Sequence, residues 1–161
     1  MPYISSHKDA ENLTMSVVAE FDANVERVWQ IWEDPRQLER WWGPPEWPAT
    51  FVSHDFVPGG KVSYYMPGPE GEKAAGWWMF TDIDKPNSLS FEDGFCDDSG
   101  NPSSTMPVTH ATVTLEDENG RTRMTISSRF DTLEQLEELA AMGMDEGMAS
   151  ALGQIDTMLA D

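Results

Sequence analysis

The chain has 161 residues, 39% of them hydrophobic and 11% aromatic, with seven Trp, seven Phe and ten Met, which suits one domain with a real core and excludes a disordered chain. Twenty-nine acidic residues against ten basic ones give a formal charge of −19, a field that repels nucleic-acid backbones and anionic membrane leaflets. One cysteine, Cys96, rules out an internal disulfide and a cysteine-built zinc site.

Residues 1–12 are polar and unpatterned and predict a loose N-terminal arm. From Leu13 to Phe21, the residues Leu13, Met15, Val17, Ala19 and Phe21 alternate with Thr14, Ser16, Val18 and Glu20, the period of a strand with one buried face. Asp22 or Asn24 is placed to cap a helix carrying Val25, Val28, Trp29 and Trp32 at helical spacing. Pro35 opens a second short helix running to about Trp42, and the prolines of the segment Gly43 to Pro48 end it. Strands are expected over Thr50 to Phe56, Lys61 to Met66, Lys73 to Ile83 and Ser88 to Cys96. Pro58-Gly59-Gly60, the stretch Met66 to Gly71, and Asp84-Lys85-Pro86-Asn87 punctuate them. Asp97 to Pro102 reads as a loop. Val108 to Leu115 then alternates with Thr109, Ala111, Val113 and Leu115 on one face, and Asn119-Gly120 marks a tight hairpin. Arg121 to Phe130 places Thr122, Met124, Ile126, Ser128 and Phe130 inward. Asp131-Thr132-Leu133-Glu134 has the layout of a capping box before a long amphipathic helix with Leu133, Leu136, Ala140, Gly143, Met144, Met148, Ala151, Leu152, Ile155 and Leu159 on one side. Gly143 and Gly147 predict a bend or a close backbone approach within it.

This order predicts an α+β domain spanning residues 1–161, with seven strands of which the last six form an antiparallel meander. The terminal helix must bury its apolar stripe, and the concave face of a twisted sheet is the only large apolar surface on offer. Two short helices after the first strand plug one end. A curved sheet around a helix leaves a hollow suited to a small apolar ligand.

The residues carry a resemblance. Phe21-Asp22-Ala23 through Val28-Trp29 and Trp32, then Asp34-Pro35 and Trp41-Trp42-Gly43-Pro44, resemble the opening of the AHSA1-like (activator of Hsp90 ATPase homologue-like) branch of the START/Bet v 1-like (SRPBCC) superfamily. Asp55 to Val62, with Pro58 and Gly59-Gly60, is similar to a second signature of that branch. Gly76 with Ile83-Asp84-Lys85-Pro86, Leu89 and Phe91 is similar to a third, and Gly143-Met144 with Gly147 to a fourth, where relatives commonly carry Trp at the place of Met148. The resemblance covers about residues 13 to 159 and is specific only in the combination of signatures. It implies a helix-grip fold, a seven-stranded curved antiparallel sheet wrapped around a long C-terminal helix. It implies no single activity, because lipid carriers, hormone receptors, polyketide cyclases, self-resistance proteins and chaperone activators share the fold.

Trp41, Trp42, Tyr64, Met66, Trp78, Phe80, Phe91, Phe95, Met144 and Met148 fall in segments that frame the expected hollow. Most of them, taken alone, read first as core residues. Together they make an adaptable, flat-faced lining for an apolar ligand, a polycyclic one included, and Met148 in place of Trp enlarges it. No catalytic constellation is visible. His7, His54 and His110 are scattered, no Gly-x-Ser-x-Gly, His-Glu-x-x-His or phosphate loop occurs, and Cys96 has no identified histidine partner. A cyclase would need only one acid or base, for which Glu92, Asp93 and Tyr64 are candidates, with solvated surface as the competing reading of the acids. Asp93, Asp97 and Asp98 lack calcium-loop spacing, so neither a metal nor a cofactor is expected.

Three functions are therefore carried forward. The first is binding of a small hydrophobic molecule without catalysis. The second is a polyketide cyclase/aromatase-like enzyme using the same cavity. The third is a chaperone-activator-like interaction module acting through the acidic last helix. Trp47, in a Pro-rich segment, raises a homodimer as a further expectation, whereas nucleic-acid and membrane partners are not expected. No apolar run approaches the roughly 20 residues of a membrane span, and the opening Met-Pro-Tyr-Ile-Ser-Ser-His-Lys is not laid out as a signal peptide. A cytoplasmic location is the resulting expectation.

Overall fold

Alternation of apolar and polar residues commits most of the chain to half-buried strands. The computed structural model describes residues 3–42, 47–71, 73–96, 101, 108–141 and 144–159. In chain order these form β1 (Tyr3–Asp9), β2 (Thr14–Phe21), α1 (Val25–Glu33), α2 (Pro35–Trp41), β3 (Thr50–His54), β4 (Lys61–Pro67), β5 (Lys73–Asp84), β6 (Ser88–Phe95), β7 (Thr109–Glu118), β8 (Arg121–Arg129), α3 (Leu133–Ala141), α4 (Met144–Leu152) and α5 (Ile155–Leu159). The strands make one antiparallel sheet in the order β1-β2-β8-β7-β6-β5-β4-β3.

The sheet has eight strands, not seven. Residues 3–9, expected as a loose arm, pair with β2 in the register Ser5↔Val18 and His7↔Ser16. This strand lies at the sheet edge, and Ser6, His7 and Lys8 are exposed. Its backbone pairs with that of β2, and the polar run Ser5 to Lys8 carries no period-2 pattern to announce it. Asp9 turns the hairpin by accepting from the Glu11 and Asn12 amides at 3.1 and 3.2 Å. Leu13 has φ 56° and belongs to this turn, so β2 begins one residue later than its alternation suggests.

The helical segments follow their local signals closely. Asn24 caps α1, its side chain accepting from the Arg27 amide at 2.8 Å. Asp34 closes α1 and caps α2, with Pro35 in the first turn. The expected single terminal helix is interrupted between α4 and α5; residues 142–143, between α3 and α4, lie outside the described residues. Gly153 and Gln154 form the turn between α4 and α5, with amide bonds to Ala149 and Ala151. Leu133, the first residue of α3 and expected on its apolar side, is 44% exposed. The capping interaction of α3 sits one residue later than the sequence layout suggests. Thr132 Oγ1 accepts from the Gln135 amide at 3.1 Å, and Gln135 Oε1 accepts from the Asp131 amide at 3.2 Å. Gly143 lies outside the described residues, as do Gly43, Pro44, Asp97 and Asp98 of the sequence reading.

Burial is split in two. The main core joins the inner face of the sheet to α1, α2 and the last helical segments through Trp29, Trp32, Leu152, Ile155 and Met158. A smaller cluster of Met15, Phe130, Leu136 and Leu139 fixes α3 over the other end of β2 and β8. Two polar ties join α1 and α2 to the C-terminal segments: Arg27 donates to the Met158 carbonyl at 3.4 Å, and Gln154 to the Trp41 carbonyl at 3.2 Å.

Candidate functional site

Opposed residues in an antiparallel ladder share a face of the sheet. Across β4, β5 and β6 the register runs Tyr64↔Gly76↔Phe95, then Val62↔Trp78↔Asp93, with Phe80↔Phe91 further along. These residues therefore line one face, and burial of Val62, Tyr64, Trp78, Phe80 and Phe91 identifies it as the inner one. Trp41 and Trp42, at the end of α2, come down onto it.

The aromatic rings interlock. Trp78 stacks on Phe91 with centroids 4.3 Å apart and planes at 22°, and meets Trp42 edge-on at 4.8 Å. Trp32 from α1 contacts Trp41 at 4.8 Å and Trp42 and Trp78 at 6.1 Å. Phe51 of β3 stacks on Tyr64 at 5.0 Å. Trp41, Trp78, Phe80 and Phe91 are fully buried, so they form the floor of the site, and Trp42 and Tyr64 lie at its margin. Phe80 turns away toward Phe56 and His54, at 5.0 and 5.9 Å. Met66 and Met148 pack at the edge of the core and keep partial exposure; the side chain of Met144 lies outside the described residues. Phe95 is inward-facing by register yet 38% exposed, so it is only partly covered.

Within this lining sits a small polar group. Asp93 belongs to the inward series Leu89, Phe91, Asp93 and Phe95, and its carboxyl is pushed up to about 7 by burial, which the nearby Trp78 N–H partly offsets. The residue as a whole is half-buried. Burial also pushes the Tyr64 hydroxyl well above its ordinary range, and the neighbouring Asp93 adds to that push. The Trp78 N–H, although near enough to act on both oxygens, completes a hydrogen bond with neither. The phenol end of Tyr64 occupies the space where a Cβ at Gly76 would stand. The sequence contained a signal for Asp93, its place in the apolar period of β6, although acidic residues there read equally as solvated surface.

The remaining candidates lie elsewhere. Glu92 faces outward, beside His110 at 3.9 Å, and His110 also stands 3.6 Å from Asp131. His54 bonds the Trp32 carbonyl at 3.1 Å and lies parallel to Phe56, and its burial lowers its pKa below the usual imidazole value. Among the described residues no cluster of His, Cys, Asp and Glu could hold a metal ion. Trp47 is half-buried, its ring covering Gly68. No described helix is long and apolar enough to cross a membrane.

An open antiparallel sheet curved over α1, α2 and C-terminal helical segments is the helix-grip fold. Residues 22–160 match the family model described as activator of Hsp90 ATPase homolog 1-like protein, and the chain belongs to that family. It is similar to a protein from Arthrobacter aurescens solved by solution NMR, at 60% identity and a TM-score of 0.93, over 97% of this chain and 91% of that one. A crystal structure of a protein from Mycobacterium smegmatis is similar at 46% identity and a TM-score of 0.90, over 98% and 97% of the two chains. A protein from Staphylococcus epidermidis, 23% identical with a TM-score of 0.84 over 97% and 93% of the chains, shares the fold. No curated protein matches the chain.

Proposed function

We propose that the chain binds a small, largely apolar molecule against the inner face of β4, β5 and β6, under the C-terminal helical segments. The observation that carries this reading is Phe95. Large apolar side chains on the inner face of a sheet are ordinarily covered, and an only partly covered one at the end of an aromatic floor offers a contact surface for a ligand. Partly buried Met66 and Met148 supply walls that adjust to ligand shape. Native mass spectrometry of protein purified from its own host is expected to find a bound apolar molecule. Protein that is uniformly empty and fails to bind any member of a broad hydrophobic panel overturns the reading.

One observation favours a second reading, an enzyme of the cyclase kind. A carboxyl pushed up to about 7 beside a phenol holds or releases a proton near neutral pH, as an acid or base within an orienting apolar pocket requires. Turnover of a cyclisable polyketone, abolished by Asp93→Asn, would establish it; binding without turnover leaves the carrier reading in place.

A further inference from the structure

One polar group in the aromatic floor has no hydrogen-bond partner among the described residues. The Trp78 side chain has no exposed surface, and its N–H donates to no acceptor among the described residues. Buried donors are paired in the great majority of cases, so this one marks a place where an acceptor belongs. Directly across the β5–β6 ladder stands Asp93, and the Tyr64 hydroxyl completes the surroundings. All three face the same side of the sheet as Phe95, where the apolar surface is only partly covered.

Building on the binding reading above, we infer that Trp78, Asp93 and Tyr64 form the recognition point for a hydroxyl group on an otherwise apolar ring compound. The ligand oxygen accepts from the Trp78 N–H, and its proton is donated to the Asp93 carboxylate. A hydroxyl is the simplest group that donates and accepts through one atom. With Asp93 ionised, as at pH 8, a ketone would serve Trp78 alone and leave Asp93 without a donor. An ammonium would serve Asp93 alone. A carboxylate would set a second anion beside Asp93 in a chain of net charge −19. The site thus selects hydroxylated rings over apolar acids such as fatty or aryl carboxylates.

Calorimetric titration of the full chain at pH 8, where Asp93 is mostly ionised, with naphthalene, 2-naphthol and 2-naphthoate tests this. 2-Naphthol is expected to bind about five- to tenfold more tightly than naphthalene, the usual gain from one or two well-placed hydrogen bonds, and 2-naphthoate more weakly than either. Trp78→Phe and Asp93→Leu each abolish the preference, so that in either variant 2-naphthol binds no more tightly than naphthalene binds to that same variant. Should Trp78→Phe fail to fold, Asp93→Leu decides the matter. Naphthalene and 2-naphthol binding equally, 2-naphthoate binding best, or a hydroxyl preference that survives both substitutions overturns the inference and leaves the binding reading standing. Failure of all three compounds to bind the folded protein overturns both.

Discussion

The phenol of Tyr64 fills the place of the side chain that Gly76 lacks. The two residues are opposed across β4 and β5, and a Cβ at Gly76 would collide with the hydroxyl and ring of Tyr64. Gly76 is thus the means by which the Tyr64 ring lies along the inner face over β5.

Gly76→Ala is therefore expected to destabilise the fold by about 1–3 kcal/mol, as overpacking does, even though Ala suits a strand better than Gly. In a Tyr64→Ala background the same change should cost little or turn favourable. Thermal and urea denaturation of the four proteins of this cycle measure the coupling; equal costs in both backgrounds would refute the contact.

Asp93 makes a pH prediction whose sign is set by its raised carboxyl. The folded protein holds the proton up to about 7, and the unfolded chain releases it near 3.8. Unfolding between those values releases a proton. The Asp93 contribution to stability is accordingly complete below pH 4, falls as pH rises to 7 and is level above that. Asp93→Asn should gain on the wild type between pH 4 and pH 8 by on the order of 2 kcal/mol, allowing for solvent access to a half-buried group. Urea denaturation of both proteins at the two values checks it, since subtraction removes the common titration of the other acids.

Edge strand β3 is held from its free side by α2. The Phe51 amide donates to Glu39 Oε2 at 2.7 Å, Arg36 donates to the Phe51 carbonyl at 3.1 Å, and the two side chains pair at 3.4 Å. Glu39→Ala should cost about 1–2 kcal/mol by stranding a partly buried amide. Hydrogen exchange at Phe51 should speed up as the edge opens, with β7 and β8 unaffected.

Trp32 is the hub of the aromatic floor. Besides its ring contacts with Trp41, Trp42, Trp78 and Phe91, its N–H reaches the Met124 sulfur at 3.3 Å. Trp32→Ala is expected to cost about 3–5 kcal/mol, the range for deleting a buried large aromatic, with a melting temperature several degrees lower. Trp29→Ala removes a comparable ring beside Phe56, 5.7 Å away, and provides a control for ring loss outside the site. If the Trp32 cavity is continuous with the ligand site, only the Trp32 variant should change naphthalene binding.

Much of this architecture can be read directly from residue order, because period and punctuation are local. In β7 and β8 every residue placed inward is buried or nearly so, from Thr109 to Leu115 and from Thr122 to Ser128. Asn119 and Gly120, with φ 58° and 89°, make the hairpin their types require. Pro35 opens α2 where its fixed φ favours a first turn. Locality also explains the errors. The cap of α3 falls on Thr132 because it and its neighbour Asp131 have equal capping ability, and β1 shows no alternation because Ser5 to Lys8 are all polar. Part of the candidate site follows the same logic, since the aromatics of β4 to β6 and the place of Asp93 in the inward series both come from alternation.

What residue order determined, then, is which side chains share a face and where the chain turns, because those depend on neighbours two to four positions apart. Tertiary structure alone decided that Trp78 stands opposite Asp93, that the phenol of Tyr64 fits over Gly76, and that Phe95 is only partly covered while Phe91 is sealed. Register between strands and access of water to a carboxyl are set by distant segments packing together. A single strand's pattern places an acid on the inner face, but only the surrounding rings decide whether that acid keeps its proton.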